Sequence, residues 1–283
     1  MSTELLSDSK NAEHVQSSYP NRDLASEDSV EWIGPRFDGN SKFKHLVERV
    51  IAACLLVVLS PIILVLWITV KATSCGSGFY TQARVGQYGK VFRLVKLRSM
   101  CCNAELDGKF RWSTKSDTRV TRLGKILRKL HLDELPQLWN VARGDMSLVG
   151  PRPERPEITV SLEKLIPHYH ARHRVKPGIT GLAQVNLEPD TNINVTRKKQ
   201  VLDLRYIENS GLWLDLRLIF ATGLRVIGVP GNVAMEVARL RQAIDVYELE
   251  AVGYEFETPE EELWNPSKGS CSPQVEFAQV APK

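Results

Sequence analysis

Asp133 and Glu134 stand side by side in "HLDELPQLWN", residues 131–140, with Pro136 just beyond them. Immediately upstream, "RVTRLGKILRK" carries five cations in eleven residues, and "PRPERP" at 151–156 adds Arg152. An adjacent carboxylate pair with Arg128 and Arg152 in flanking segments suits Mg²⁺-assisted phosphoryl transfer. One acid attacks phosphorus, the other holds the metal, and guanidinium groups take up charge on the phosphoryl oxygens. The plainer reading of Asp133 is a helix N-cap, with Glu134, Leu135 and Pro136 in the first turn, where the dipole favours a carboxylate and proline is tolerated. Capping explains neither the second acid nor the arginines.

Other phosphate chemistries find little support. There is no GxxxxGK loop, "GSG" at 76–78 is not a dinucleotide fingerprint, and no Asp-x-Asp metal handle occurs. "HYHARH" at 168–173 offers three histidines, but Arg172 and Arg174 interleave with them and make a poor cation site. It reads as a basic helix end.

The elements that must position these groups fall into a basic middle between acidic ends. Residues 1–40 carry a net −5 and residues 253–283 a net −4, so an overall charge of +4 leaves +13 on 41–252. Such a core suits an anionic surface or a phosphate-rich ligand. Both ends are polar and without hydrophobic period, and are expected to be disordered. Five cysteines without a CxxC give no disulfide framework and point to a reducing compartment.

Residues 50–70, "VIAACLLVVLSPIILVLWITV", hold no charge. As a helix they would reach roughly 30 Å, enough to cross a hydrocarbon core. Two readings stand: a transmembrane span, or a re-entrant helix bent at Ser60 and Pro61 that returns to the same face. Basic flanks on both sides (Lys42, Lys44 and Arg49; Lys71, Arg84 and Lys90) give a span no clear direction. Downstream, 79–100 alternates about Gly86 and Gly89 as a hairpin, and 119–131 is a basic amphipathic helix. A helix from Asp133 ends at Gly144, with Leu135, Leu138, Trp139 and Ala142 facing inward. Next come a strand at 146–150, a rigid loop, a helix over 157–166, a turn and strand at 175–186, and a helix over 196–208. An apolar, interfacial helix occupies 210–227, and a charged helix over 232–250 lies outside the core.

With these pieces assembled, the chain resembles the bacterial sugar transferase family, the monotopic phosphoglycosyl transferases. The resemblance runs through "FYTQARVGQYGKVFRLVKLRSM", "TRLGKILRKLHLDELPQLWNVARGDMSLVGPRP", "RHRVKPGITGLAQVN" and "DLRYIENSGLWLDLRLI", over roughly 43–228. It implies transfer of a sugar 1-phosphate from a UDP-sugar to polyprenyl (undecaprenyl) phosphate with release of UMP, Mg²⁺ as cofactor, and a re-entrant helix broken at Ser60-Pro61. The implied start is lipid-linked synthesis of exopolysaccharide, capsule, O-antigen or glycan. The Asp-Glu dyad of the family falls on Asp133 and Glu134. Leu182 stands where the family usually carries Trp, and "LEPDTN" replaces a short Gly-Arg turn, so the sugar stays unassigned.

The expectation is an α/β protein, mainly helical with short β elements: an acidic tail over 1–40, a re-entrant membrane helix-break-helix over 41–72, a cytoplasmic catalytic domain over 73–230 with interfacial amphipathic helices, a helical extension over 231–252 and an acidic tail over 253–283. Asp133 is expected as nucleophile through a phosphosugar–aspartyl intermediate, Glu134 as Mg²⁺ ligand, Arg128 and Arg152 as phosphate ligands, and Lys96 and Arg98 as further phosphate or headgroup contacts. Expected partners are the UDP-sugar, the polyprenyl phosphate and an anionic phospholipid membrane, with no nucleic acid. The expected place is the cytoplasmic face of the bacterial inner membrane, and the oligomeric state, a homo-oligomer included, is open. The rivals are a phosphohydrolase using the same aspartyl-phosphate, which would release free sugar phosphate without a lipid acceptor, and an inactive membrane scaffold.

Overall fold

The computed structural model describes residues 41–74, 76–101, 117–187 and 193–242. The two expected tails and the "EPDTN" segment lie outside the described residues.

An uninterrupted apolar run leaves the helical ladder without competitors, and Ser41–Thr73 is a single helix, α1, with Pro61 inside it. The chain stays helical through Ser60-Pro61, where the re-entrant break is expected. Proline lacks the N–H that would reach the carbonyl four residues back, which is that of Val57. The Ser60 hydroxyl supplies the missing donor, Oγ to Val57 O at 2.7 Å. Among the described residues α1 is the one helix long and apolar enough to cross a membrane. Most of its apolar side chains face outward, with Val57 73% and Val58 70% exposed, while Ala52 and Val70 are buried.

Both ends of α1 are fastened to the rest of the chain. Near the start, Lys44 Nζ lies 2.7 Å from Asp215 Oδ2, Ser147 Oγ donates to Glu48, and Arg49 Nε donates to Ala142 O at 3.0 Å. Near the end, the Trp67 and Phe79 rings lie 6.2 Å apart, and Arg98 Nη2 donates to Ser74 O at 2.9 Å.

The alternating stretch forms the expected hairpin, β1 (Phe79–Val85) antiparallel to β2 (Val91–Leu97), with Tyr80 opposite Lys96. The basic helix is shorter than expected: α2 spans Arg122–Lys129, and its N-cap Thr121 accepts from Gly124 N. Gly124 is pressed against the chain at Ser99, where a Cβ would meet Ser99 O at 2.0 Å. Only glycine allows α2 to sit that close.

The acid pair begins no helix. Leu132–Glu134 is a 3₁₀ turn, and the next helix, α3, starts only at Gln137 and ends at Gly144 in the left-handed region, φ 98°. Bonds from Glu134 N to His131 O and from Leu135 N to Leu132 O tighten the chain into i→i−3 turns before α3 begins. The capping reading of Asp133 is therefore overturned. So is the inward placement of Trp139, which is 52% exposed. The face toward β2 belongs to buried Asn140 instead: it accepts from Val95 N and donates to Arg93 O.

A second sheet pairs β3 (Ser147–Val149) in parallel with β4 (Gly178–Thr180). Between them lie α4 (Pro156–Leu165) and a 3₁₀ turn at Tyr169–Arg174. After β4, the stretch expected to continue as strand is helical, α5 (Leu182–Asn186). Helices α6 (Ile193–Glu208) and α7 (Leu212–Val226) close the main core over Val149, Leu182, Leu202 and Leu218. The last described helix, α8, covers only Gly231–Val237. Residues 238–240, just beyond α8, are not outside the core. Arg239 turns back at φ 53°, Arg217 Nε donates to Ala238 O at 2.8 Å, and Ala238 and Leu240 are buried in the main cluster. Residues 243–252 of the expected extension lie outside the described residues. Among the described residues the fold is mainly helical with two short two-stranded sheets.

Candidate active site

The alternation of β1 and β2 sets one wall. Tyr80, Gln82 and Arg84 are spaced by two on β1 and therefore share a face, while Lys96 lies on β2 and Arg98 just past its end. All five line a cleft of about 890 Å³ that also takes in Arg128, Glu134, Arg152 and Glu154. Leu55 and Leu59 of α1 form part of its boundary, so a charged interior meets the apolar helix. Among the described residues nine cationic side chains and two carboxylates line it. A cavity so biased selects anions.

Each predicted site residue has a definite place. Glu134 is on the cleft wall and accepts from Arg152 Nη2 at 2.7 Å. Asp133 is 6% exposed and is not among the residues that line the cleft. Arg128 donates from Nε to Ser99 Oγ at 2.8 Å. Lys96 Nζ lies over the Tyr80 ring, 5.2 Å from its centroid. Arg98 lines the cleft but also braces the exit of α1 through Ser74, which gives it a structural duty the sequence did not show. Ser60 and Pro61 lie on exposed α1 and do not line the cleft.

The two carboxyls are driven apart. Burial raises Asp133, and the neighbouring Glu134 charge raises it further, while Lys96, Arg128 and Arg152 pull it back only in part. Burial would raise Glu134 as well, but the Arg152 charge and hydrogen bond outweigh it and hold this carboxyl below the usual range. Lys96 is drawn down to about 8 by burial and by Arg84, Arg128 and Arg152, with Asp133 opposing. Of the two adjacent carboxyls, Asp133 is thus the more basic and Glu134 the more acidic.

Hard carboxylate oxygens beside a cation-rich cleft fit Mg²⁺, which takes one or two carboxylates and completes its shell with substrate phosphates and water. Among the described residues no cluster of three or more His, Cys, Asp or Glu side chains forms a protein-only cage, and "HYHARH" makes none. His173 there is buried, and burial with the Arg172 and His170 charges holds it down to about 3, so it stays neutral.

Sequence reasoning missed Ser99, Arg84, Glu154 and His131. Arg84 was legible in principle, by its spacing of two from Gln82 and Tyr80. Glu154 reaches Arg84 Nη1 at 3.6 Å only through the fold.

The family model described as "Bacterial sugar transferase" matches residues 39–228. The chain is 45% identical over 187 residues to a UDP-glucose:undecaprenyl-phosphate glucose-1-phosphate transferase of Xanthomonas campestris pv. campestris, a match covering 65% of this chain and 39% of that protein. It is 45% identical over 163 residues to a UDP-N-acetylgalactosamine-undecaprenyl-phosphate N-acetylgalactosaminephosphotransferase of Aeromonas hydrophila, covering 58% and 38%. A third relative, a UDP-glucose:undecaprenyl-phosphate glucose-1-phosphate transferase of Caulobacter vibrioides, is 41% identical over 182 residues, covering 63% and 67%. The chain thus spans about two-fifths of the length of the first two relatives.

Proposed function

The chain belongs to the bacterial sugar transferase family, and on that premise we propose that it transfers a sugar 1-phosphate from a UDP-sugar to undecaprenyl phosphate, releasing UMP and starting lipid-linked polysaccharide synthesis. The observation that carries this reading is a cation-rich cleft that takes in Glu134, next in the chain to buried Asp133, and is bounded in part by a membrane-length helix.

The donor diphosphate enters among Lys96, Arg128 and Arg152, whose charges take up its negative charge. Its sugar-bearing phosphorus is brought up to Asp133. A carboxylate oxygen of Asp133 attacks that phosphorus, the bond to the bridging oxygen breaks, and UMP leaves with the electron pair. A phosphate oxygen of the lipid then attacks the same phosphorus and displaces Asp133, which is regenerated as the carboxylate. Glu134, held by Arg152, and the substrate phosphates would hold Mg²⁺. The ion, when bound, neutralises charge on the diphosphate.

In this reading α1 re-enters the membrane, bent at Ser60 and Pro61, and both of its ends stay on the cytoplasmic face of the inner membrane. Its two fastenings to the same body support this, as do the outward apolar residues of α7, with Trp213 73% and Phe220 53% exposed. The test is UMP release from a panel of UDP-sugars with and without undecaprenyl phosphate. Sustained turnover is expected only with the lipid. Lipid-independent release of free sugar phosphate would make the protein a hydrolase.

A further inference from the structure

The loop that carries Arg152 is bonded along its whole backbone. Pro151 O accepts from Gly178 N at 2.9 Å, and Glu154 O accepts from Val85 N at 2.8 Å. Pro153 O accepts from Arg84 Nη1 at 2.8 Å. Arg152 O accepts from Arg172 Nη2 at 2.9 Å. Four successive carbonyls are thus held from three different parts of the chain. Prolines on both sides of Arg152 also restrict its neighbours' φ.

Arg172 is the unusual member. It does not line the cleft. Its side chain is 5% exposed and pairs with Asp203 of α6, itself 2% exposed, at 2.7 Å. It also donates to the Tyr169 hydroxyl. A buried ion pair is a poor source of stability, because desolvation cancels most of the attraction. What this pair adds here is a rigid fork whose Nη2 ends on the carbonyl of the residue that grips Glu134.

We propose that Arg172, fixed by Asp203 and Tyr169, is a positioning residue for the transfer reaction, setting the backbone of Arg152 so that its guanidinium meets both Glu134 and the donor phosphate. The inference rests on the phosphate-holding role of Arg152 proposed above. Without the fork, the Arg152 carbonyl loses its donor, the loop shifts by a fraction of an ångström to an ångström, and orientation is lost. Misplacement on that scale costs up to roughly 100-fold in rate.

The test is a cycle on the purified full chain, read as kcat/KM for UMP release with undecaprenyl phosphate present. Removing Arg172 alone would strand a buried Asp203, so Arg172→Met is combined with Asp203→Leu, an exchange that buried pairs often tolerate. The melting midpoint is expected to stay within about 5 °C of wild type, while kcat/KM falls roughly 10- to 100-fold. In an Arg152→Lys background the same pair exchange is expected to cost less than about twofold, since the residue it positions is already compromised. Full activity of the pair variant, or an equal loss in both backgrounds, would overturn the proposal. If the pair variant does not fold, Arg172→Lys takes its place in the same cycle, with the same expected and overturning results. It keeps the charge opposite Asp203 but cannot span three acceptors with one planar fork. A wild type without UDP-sugar-dependent UMP release would instead remove the reading on which the proposal rests.

Discussion

Two buried acid–cation clusters are built from similar side chains and do opposite things. At the root of α1, Lys44 pairs with Asp215 at 2.7 Å, the Tyr206 hydroxyl lies 2.8 Å from Asp215 Oδ1, and Ser147 donates to Glu48 at 2.8 Å. This cluster is closed, and its charges are answered within the protein. The cluster at Asp133 and Glu134 opens on a cleft in which cations outnumber acids. In both, burial raises an aspartate. Among the described residues only the second cluster borders a lining richer in cations than in acids. In the proposed reading, closure makes a clamp and the unbalanced version a site.

The largest effects should come from neutralising one aspartate in each cluster. Asp133→Asn should lower UMP release by at least about 10³-fold, the scale on which loss of a covalent nucleophile acts. Its melting midpoint should stay the same or rise, because a buried carboxyl of raised pKa gives way to a neutral amide of equal size. A capping role would instead forecast a loss of about 1 kcal/mol in Asp133→Ala, which thermal denaturation would detect. Asp215→Asn should reverse the pattern, losing roughly 1–2 kcal/mol of stability while the folded fraction keeps its specific activity. Equal behaviour of the two variants would erase the distinction between clamp and site.

The next effect is pH-dependent. Lys96 titrates near 8 in the folded protein against a usual 10.5. Its charge is therefore present below about 8 and fades above. A kcat/KM profile, which reports the free enzyme, should fall on the alkaline side near that value, and Lys96→Arg should move the fall to higher pH. The sign for stability is opposite. Between the folded and unfolded values the unfolded chain binds more protons, so stability gains from this group as pH rises through that window. Activity and stability should thus diverge above about 8, and a parallel decline would contradict the assignment.

Much of this was legible in sequence. The hairpin came from alternation around Gly86 and Gly89, and the end of α3 from Gly144. Asp133, Glu134, Arg128 and Arg152 were chosen by type and proximity, and the fold brings them together. The illegible part depended on partners distant in the chain. Asn140 displaced Trp139 from the inner face because it bonds the backbone of β2, which no helical period encodes. The turn at Asp133 was hidden because a cap and a 3₁₀ turn share the same residues, and backbone bonding decides between them. Arg172 and Asp203 are thirty-one positions apart, with no motif to join them. Ser60 beside Pro61 was visible in sequence, but the bond from its hydroxyl to Val57 O emerges only in three dimensions.

The smallest effect concerns Arg98. Arg98→Ala removes its bond to Ser74 at the exit of α1 and one cleft cation among several. Activity should fall only about two- to fivefold, with a matching loss of salt-sensitive binding to anionic vesicles. A loss as large as that of Arg152→Ala would move Arg98 from brace to phosphate ligand.

The central claim is that Asp133 becomes covalently phosphorylated by the donor. Purified wild type and Asp133→Asn would be incubated with Mg²⁺ and a UDP-sugar labelled in the sugar, without lipid acceptor, and digested for peptide mapping. The expected result is label on Asp133 in wild type, chased off by undecaprenyl phosphate, and none in the variant. Continued UMP release by Asp133→Asn with no labelled residue would contradict it and leave direct attack by the lipid phosphate.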